Sequence, residues 1–217
     1  MVAIQPLFGG ALHQLPCEHP FGNAVQTTAY LAIRPEGGNV LFYGSGHMAD
    51  CLDGLEALGG VWRQLVNHRD EATPGADLVK ERFGAPLWCH SLEREACAQV
   101  CHVGDTFEQG PLTDDIEAIH TPGHCPGSTC LLWQTPNGQR ILFTGDTFYP
   151  SKGRWTVAIA EEHRDQMRAS LQKLTREHID ALVPSLFIGE VMWLEGADAV
   201  QDALKQCIER LKAPKGR

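Results

Sequence analysis

The chain has 217 residues, of which 43% are hydrophobic, so it can bury a substantial core and is neither a disordered chain nor a small disulfide scaffold. Eighteen Lys and Arg stand against 27 Asp and Glu, a formal net charge of −9, which argues against a basic surface for nucleic acid or anionic lipid. No linker, repeat or low-complexity tract interrupts the chain, and we predict a single domain over residues 1–217.

Targeting and redox signals point to the cytoplasm. The amino terminus has no basic segment followed by an apolar stretch, and no later segment has the ~20 apolar residues of a membrane-spanning helix. We therefore expect a cytoplasmic protein whose eight cysteines are reduced thiols. Cys97 and Cys101 lie one helical turn apart, but no second pair has zinc-site spacing, so half-buried thiols on a short amphipathic helix are favoured over metal ligands.

The first half of the chain alternates short apolar runs with helical patterns. Paired strands are predicted over 29–34 and 39–43, around a Pro-Glu-Gly-Gly turn. The pattern then predicts a strand over 63–66, a helix over 76–83 that buries Leu78 and ends at Gly84, a strand over 87–89, and a helix capped by Ser91 that runs to about Cys101.

The second half repeats this arrangement. We predict strands over 116–120, 129–134 and 140–144, the last two joined by a tight turn in which Asn137 and Gly138 both take positive φ. A helix over 161–178, a strand over 181–183 ended by Pro184, and a closing helix that spans 200–211 complete the pattern. Two successive blocks of strands with helices outside them predict an α/β fold, a four-layer α/β/β/α sandwich of two mixed sheets flanked by helices.

The segment 120–128, His-Thr-Pro-Gly-His-Cys-Pro-Gly-Ser, is the most informative. Its glycines and prolines predict a compact loop directly after a strand, with His124 at the apex. Asp146 follows the predicted strand that ends in Phe-Thr-Gly. A rigid imidazole and a carboxylate at neighbouring strand ends are what a metal site requires, because ligand reorganisation would weaken binding.

These motifs resemble the metallo-β-lactamase-fold hydrolase superfamily. The His-Thr-Pro-Gly-His-x-Pro-Gly-Ser loop and the Phe-Thr-Gly-Asp strand end match that superfamily in order and spacing, over nearly the whole chain. The strand that ends in Asn67 and His68, followed by Gly75, lies where the superfamily has Thr-His-x-His-x-Asp-His-x-Gly. The resemblance implies the sandwich fold and a metal-dependent hydrolase.

The signature itself is altered. With Asn67 aligned to its threonine, His68 is the first histidine and Asp70 replaces the second, while Ala72 replaces the aspartate and Thr73 the last histidine. The carboxyl-terminal Pro-Gly-His-Gly of the superfamily is replaced by residues 184–187, Pro-Ser-Leu-Phe. An alternative alignment, shifted by two, makes Asp70 the signature's aspartate and puts Glu71 in the place of its last histidine, so Glu71 is a reserve ligand.

The resemblance implies one metal ion rather than two. In two-metal members, the replaced aspartate and histidines hold only the second ion, and here Ala72, Thr73 and Leu186 remove all of those ligands. The ligands implied around the first ion are His68, Asp70, His124 and Asp146. Such a donor set suits one divalent metal: zinc is the first candidate, and iron and manganese are alternatives. His47, after the Gly-Ser-Gly loop of residues 44–46, is a candidate for a substitute ligand, although an ordinary loop histidine is favoured.

Three functions follow from this site. The first is a mononuclear hydrolase in which one ion activates water against an ester, thioester or lactone carbonyl, with Asp70 or Asp146 as the proton acceptor. The second is a mononuclear iron oxygenase, since the ligand count resembles that of persulfide dioxygenases. The third is a metal-free binding or regulatory protein. We expect a small-molecule substrate, neither nucleic acid nor membrane as a partner, and leave the oligomeric state open.

Overall fold

A computed structural model of the protein describes residues 3–20, 22, 24–190 and 193–212. The helices are α1 (Met48–Ala57), α2 (Gly75–Phe83), α3 (Arg94–Cys97), α4 (Arg164–Leu174) and α5 (Ala197–Lys212). The strands are β1 (Gln5–Leu7), β2 (Leu12–Gln14), β3 (Val25–Thr27), β4 (Tyr30–Ala32), β5 (Val40–Phe42), β6 (Arg63–Leu65), β7 (Leu87–His90), β8 (Val103–Phe107), β9 (Gly110–Pro111), β10 (Ile116–His120), β11 (Thr129–Gln134), β12 (Arg140–Phe143), β13 (Tyr149–Ser151), β14 (Arg154–Thr156), β15 (Ala181–Val183), β16 (Leu186–Ile188) and β17 (Leu194–Glu195). None of the helices in the described part of the chain combines the length and the apolar character needed to cross a bilayer.

Two mixed sheets form the centre of the fold, as predicted. The first has seven strands in the order β1-β2-β4-β5-β6-β7-β8, and the second has six in the order β17-β15-β12-β11-β10-β9. A third sheet, β14-β13-β16-β3, was not predicted from the sequence. Its strands β13 and β16 begin shortly after the ends of β12 and β15, so this small sheet continues the chain beyond the carboxyl edge of the second sheet.

Strand β11 shows how the side chains divide among the layers. Leu131 and Trp133 point into the core between the two large sheets, where they join residues of β4 and β5. Cys130 and Leu132 point the other way and pack with residues of α4 and α5. This period of two is the property of an extended strand buried on both faces, and it places α4 and α5 outside the second sheet.

Three local expectations were wrong. Ser91 does not cap a long helix: residues Ser91–Glu93 form a 3₁₀ turn before the four-residue α3, and the His90 ring accepts the Leu92 amide at 3.2 Å instead. Only Gly138 takes positive φ in the β11–β12 turn, because the turn spans Thr135 to Gln139 and is longer than a two-residue hairpin. Leu78 is 36% exposed rather than buried.

Helix α1 was not predicted, and its position explains why the first sheet is covered. Met48, Cys51 and Leu55 lie at helical spacing and are buried in the central cluster with strand residues of the first sheet. The sequence hides this stripe, because small and acidic residues are interspersed with the apolar ones and no capping side chain marks the start of the helix.

Candidate metal centre

The four predicted ligand side chains meet at one edge of the sandwich. His68 and Asp70 follow β6, while His124 and Asp146 follow β10 and β12. The Asp70 Oδ2 atom lies 3.8 Å from His68 Nε2 and 3.4 Å from His124 Nε2. The Asp146 Oδ2 atom lies 3.6 Å and 3.7 Å from the same two nitrogens. Donor atoms of a tetrahedral site with bonds of about 2.0–2.2 Å stand roughly 3.3–3.6 Å apart, so this spacing suits a single cation.

The Nε2 atoms of the two histidines are available as metal ligands. His68 Nε2 and His124 Nε2 are buried, and neither has a hydrogen-bond partner among the residues that the structure describes. A buried polar atom without a partner costs about 1–3 kcal/mol. Two imidazoles and two carboxylates form a donor set that first-row divalent metals accept, so the residues present fit a metal ion. The role of these four residues as ligands stays a prediction.

Glu71 lies behind His68, on the side away from the candidate site. Its Oε1 atom is 3.3 Å from His68 Nδ1, and its Oε2 atom accepts the backbone amide of Asn67 at 2.6 Å. A carboxylate on the far nitrogen of a histidine fixes the ring orientation and leaves the other nitrogen free for a metal. Glu71 also forms a second donor group with His68 and Asp146, but two of its three members belong to the first site.

The carboxylates set the electrostatics of the centre. Burial lowers the pKa of His68, but the charges of Glu71 and Asp146 outweigh burial and hold that pKa well above its usual range. Burial raises the pKa of Asp146, but contacts with the two histidines and with Ser185 outweigh it, so this pKa lies below its ordinary value. The close approach of the His124 ring, and then the charge of His68, lower the pKa of Asp70 despite partial burial. The site is therefore anionic and attracts a cation.

The loop that carries His124 is rigid for local reasons. The Ser128 hydroxyl accepts the Cys125 amide at 2.8 Å, and the Ser128 carbonyl accepts the Thr121 amide at 2.8 Å. Gly123 has φ +147 and packs so closely on Met167 of α4 that a side chain would meet it at 3.0 Å. The compact turn predicted from the glycines and prolines is thus the form that holds the His124 ring in place.

Tyr43 supports the other side of the site and was missed by the sequence analysis. Its hydroxyl donates to the Val183 carbonyl at 2.8 Å and accepts the Gly145 amide at 3.1 Å, next to Asp146. The residue has φ +68, a conformation that a large side chain rarely adopts. No sequence signal marks such a residue, because its contacts lie about a hundred positions away along the chain.

The residues that replace the second-ion ligands of the resemblance make other contacts here. Ala72 is buried in an apolar cluster, and the Thr73 hydroxyl donates to the Ser45 carbonyl at 2.9 Å. Ser185 donates to Asp146 Oδ1 at 3.3 Å, so the carboxylate oxygen that faces away from the histidines already has a partner. Leu186 begins β16 and pairs with strand β3.

Two other histidines, His47 and His90, lie outside this donor group. His47 precedes α1 and is exposed, and it belongs to neither donor group found in the described part of the chain. His90 is buried and stacks on the His120 ring with centroids 4.5 Å apart. Burial, and then the neighbouring His120, lower the pKa of His90, so it is held as a neutral ring in the interior.

Three polar residues of the β13–β14 hairpin, which follows Asp146, differ in their surroundings. Tyr149 is half-buried, and burial together with the charge of Asp146 raises its pKa. The phenol is therefore near enough to the site for the Asp146 charge to act on it. Lys152 lies in the turn of the β13–β14 hairpin and Arg154 is exposed. All eight cysteines are free, and Cys97 and Cys101 are buried rather than half-buried.

Comparison with known proteins identifies the architecture. No protein-family profile matches the chain. The metallo-β-lactamase from Pontibacter korlensis superposes over 99% of this chain and 100% of its own, with a TM-score of 0.74 at 16% identity. A Cronobacter sakazakii metallo-β-lactamase described by its HARLDQ motif covers 93% and 90% of the two chains at 14% identity, with a TM-score of 0.66. BJP-1, a subclass B3 metallo-β-lactamase of Bradyrhizobium japonicum, has a TM-score of 0.66 at 16% identity and covers 88% of this chain and 90% of its own.

The sequence relatives match only part of this chain. The uncharacterized protein Rv2581c of Mycobacterium tuberculosis and the uncharacterized protein Mb2612c of Mycobacterium bovis are each 26% identical over 127 residues. Each match covers 46% of this chain and 56% of the relative, so the chain matches about half the length of these relatives. The solved structures therefore establish the fold, and the reaction follows from the side chains of the site.

Proposed function

The chain has the metallo-β-lactamase fold, and we propose that it is a metal-dependent hydrolase with one ion, acting on the carbonyl of an ester, thioester or lactone. The observation that carries the proposal is the pair of unpartnered nitrogens, His68 Nε2 and His124 Nε2, each facing the same two carboxylates at 3.4–3.8 Å. The ligands proposed are His68, Asp70, His124 and Asp146, and the metal proposed first is zinc.

A divalent cation bound there supplies Lewis acidity toward water and toward the carbonyl oxygen of a substrate. The side chains of this chain do the rest. His68 and Asp146 form the buried wall of the site, with side-chain exposures of 2% and 18%, and exclude water from that side. Asp70 is 61% exposed and forms the solvent-facing wall.

Of the two carboxylates, Asp70 is the better proton acceptor. Asp146 has one oxygen turned toward the histidines and the other hydrogen-bonded by Ser185, so it has no free oxygen for an incoming proton. Asp70 meets solvent, and a carboxylate is ionised at neutral pH, the state in which it can accept a proton. We therefore assign the proton transfer to Asp70 and keep Asp146 as a metal ligand only.

The substrate is proposed to be a small molecule. The net charge of −9 disfavours polyanions, and the three solved structures compared above are named metallo-β-lactamases. Their identity to this chain is 14–16%, so the substrate does not transfer with the fold. Esters, thioesters and lactones are proposed because their leaving groups need less stabilisation than an amide nitrogen, and this site offers only one ion for that purpose.

The test is a metal analysis of protein purified without chelator, together with an assay against a panel of esters, thioesters and lactones. About one equivalent of zinc, with hydrolysis that is lost on chelation and restored by zinc, supports the proposal. One equivalent of iron without hydrolysis favours the oxygenase instead. Absence of any transition metal, with a melting temperature unchanged by chelator or added zinc, would overturn the proposal and favour a metal-free binding protein.

A further inference from the structure

Glu93 is a buried carboxylate that connects two loops of the candidate metal centre. It lies in the 3₁₀ turn Ser91–Glu93 and is 0% exposed. Its Oε1 atom accepts the Gly127 amide at 2.6 Å and the Arg69 Nη2 group at 3.0 Å, and its Oε2 atom contacts Arg69 Nε. One side chain thus joins the loop after β6 to the loop after β10.

Each partner of Glu93 lies next to a proposed ligand. Arg69 stands between His68 and Asp70 in sequence, and Gly127 is in the same turn as His124. The approach at Gly127 is close, since a Cβ atom there would lie 2.7 Å from the Glu93 side chain. The glycine noticed in the sequence for its turn is therefore also required by the contact with Glu93.

An ion pair with one fully buried partner is a costly way to join two loops: Glu93 is buried, while the Arg69 side chain stays 35% exposed. Removal of the Glu93 carboxylate from water costs free energy that its attraction to Arg69 recovers only in part, whereas apolar side chains would join the loops without that cost. An Arg and a carboxylate in a fork arrangement instead impose a defined geometry. The arrangement thus favours precision in the relative position of the two loops over stability.

We propose that Glu93 is a positioning residue for the metal centre, which sets the distance between the His68–Asp70 loop and the His124 loop through Arg69 and Gly127. This proposal rests on the proposed function. The Glu93 carboxylate does not touch the metal in this arrangement; it acts by holding His124 Nε2 within reach of Asp70 Oδ2, a pair that lies 3.4 Å apart and spans the two loops.

The experiment is a titration of metal-free wild-type protein and of Glu93→Gln with Zn²⁺ for affinity, and with Co²⁺ for the ligand-field spectrum. Loss of the link is expected to weaken zinc binding about 10–100-fold, the usual effect of a changed partner behind the ligands. The cobalt spectrum is expected to lose intensity as the tetrahedral geometry relaxes. A double variant, Arg69→Met with Glu93→Gln, removes both charges and provides the same measurement if the single variant fails to fold.

Asp115→Asn is the matched control. Asp115 forms a comparable ion pair with Arg34, directly before β10, the strand whose other end leads to His124. Its carboxylate also accepts hydrogen bonds from the Thr113 hydroxyl and the Trp133 indole. This variant is expected to lower the melting temperature but to leave the zinc affinity within about threefold of wild type and the cobalt spectrum unchanged.

The outcomes separate the two proposals. Wild-type protein that binds zinc, with Glu93→Gln and the double variant both within threefold of it, overturns the positioning role alone. Equal weakening in Asp115→Asn would also overturn it, since the effect would then follow stability. Wild-type protein that binds neither ion overturns the proposed function and the positioning role together.

Discussion

The side-chain amide of Asn67 donates a hydrogen bond to the backbone carbonyl of Phe143 at 2.8 Å. This bond joins the end of β6, which leads to His68, to the end of β12, which leads to Asp146. Asn67 is 1% exposed, and its backbone carbonyl accepts a hydrogen bond from the Thr129 amide, at the start of β11, at 2.9 Å. Three strand ends are therefore tied at one residue directly before the first proposed ligand.

Replacement of Asn67 by alanine is expected to weaken zinc binding by at least about tenfold, because the ends of β6 and β12 lose their side-chain link. Loss of the buried hydrogen bond also lowers the free energy of unfolding by about 1–3 kcal/mol, which denaturant titration measures. Gln64→Ala is the control, since Gln64 is a buried amide on the same strand whose bonds run to Ala76 and Ala85 instead. A similar loss of zinc affinity in both variants would contradict a specific role for Asn67.

Glu71→Gln is expected to weaken zinc binding about 10–100-fold with little change in fold. A neutral amide beside Nδ1 holds the His68 ring less firmly and makes the proposed ligand atom, Nε2, less basic. Glu108→Gln is a matched control, since Glu108 also lies 3.3 Å from a buried histidine, at His90 Nε2. Isothermal titration of both variants with zinc provides the comparison. If Glu71→Gln binds as wild type does, the carboxylate does not act through His68.

His124→Ala and Asp146→Ala are each expected to abolish metal binding and any hydrolysis, because a donor set of four offers no replacement for either residue. His90 lies outside both donor groups, so His90→Asn is expected to change activity only modestly while lowering stability through its buried ring. Metal content and initial rates on a common substrate measure both effects. Full activity in His124→Ala would refute the single-ion hydrolase.

The ends of the central strands could be predicted because their signals are local. A run such as residues 116–120 followed by two Pro-Gly pairs specifies a strand and a compact loop without help from the rest of the chain, and β10 and the His124 loop are found there. The convergence of His68, His124 and Asp146 could be expected from the resemblance, since these residues occupy motif positions of the superfamily.

The supports of the site could not be predicted, because they depend on contacts between distant segments. Glu93 reads as an ordinary polar residue of a surface helix, yet it is buried against Gly127, 34 positions along the chain. The small third sheet was missed for a similar reason, since strands of three residues such as β13 and β16 have too short a pattern to distinguish from loops. Long-range pairing defines them, and sequence periodicity does not report it.

The stability of the fold at low pH is expected to depend on the Arg34–Asp115 pair, far along β10 from the metal centre. Burial raises the pKa of Asp115, but the hydrogen bonds from Arg34 and Thr113 outweigh burial, so the folded pKa lies below the ordinary value of 3.8. The folded state then binds fewer protons than the unfolded state in this range, and its stability falls as the pH drops from about 5 through that folded pKa.

Asp115→Asn removes this titration, so its free energy of unfolding is expected to be lower than that of wild type at pH 7 but to change less between pH 5 and pH 3. Urea titrations of metal-free protein at a series of pH values measure the difference, because without metal no pH-dependent zinc release contributes to the free energy of unfolding. The same variant at neutral pH reports the cost of an unpaired Arg34, which is 6% exposed and therefore poorly solvated without its carboxylate. Parallel curves for the two proteins across this range would show that Asp115 titrates alike in the folded and unfolded chains, and the ion pair would then contribute nothing to acid sensitivity.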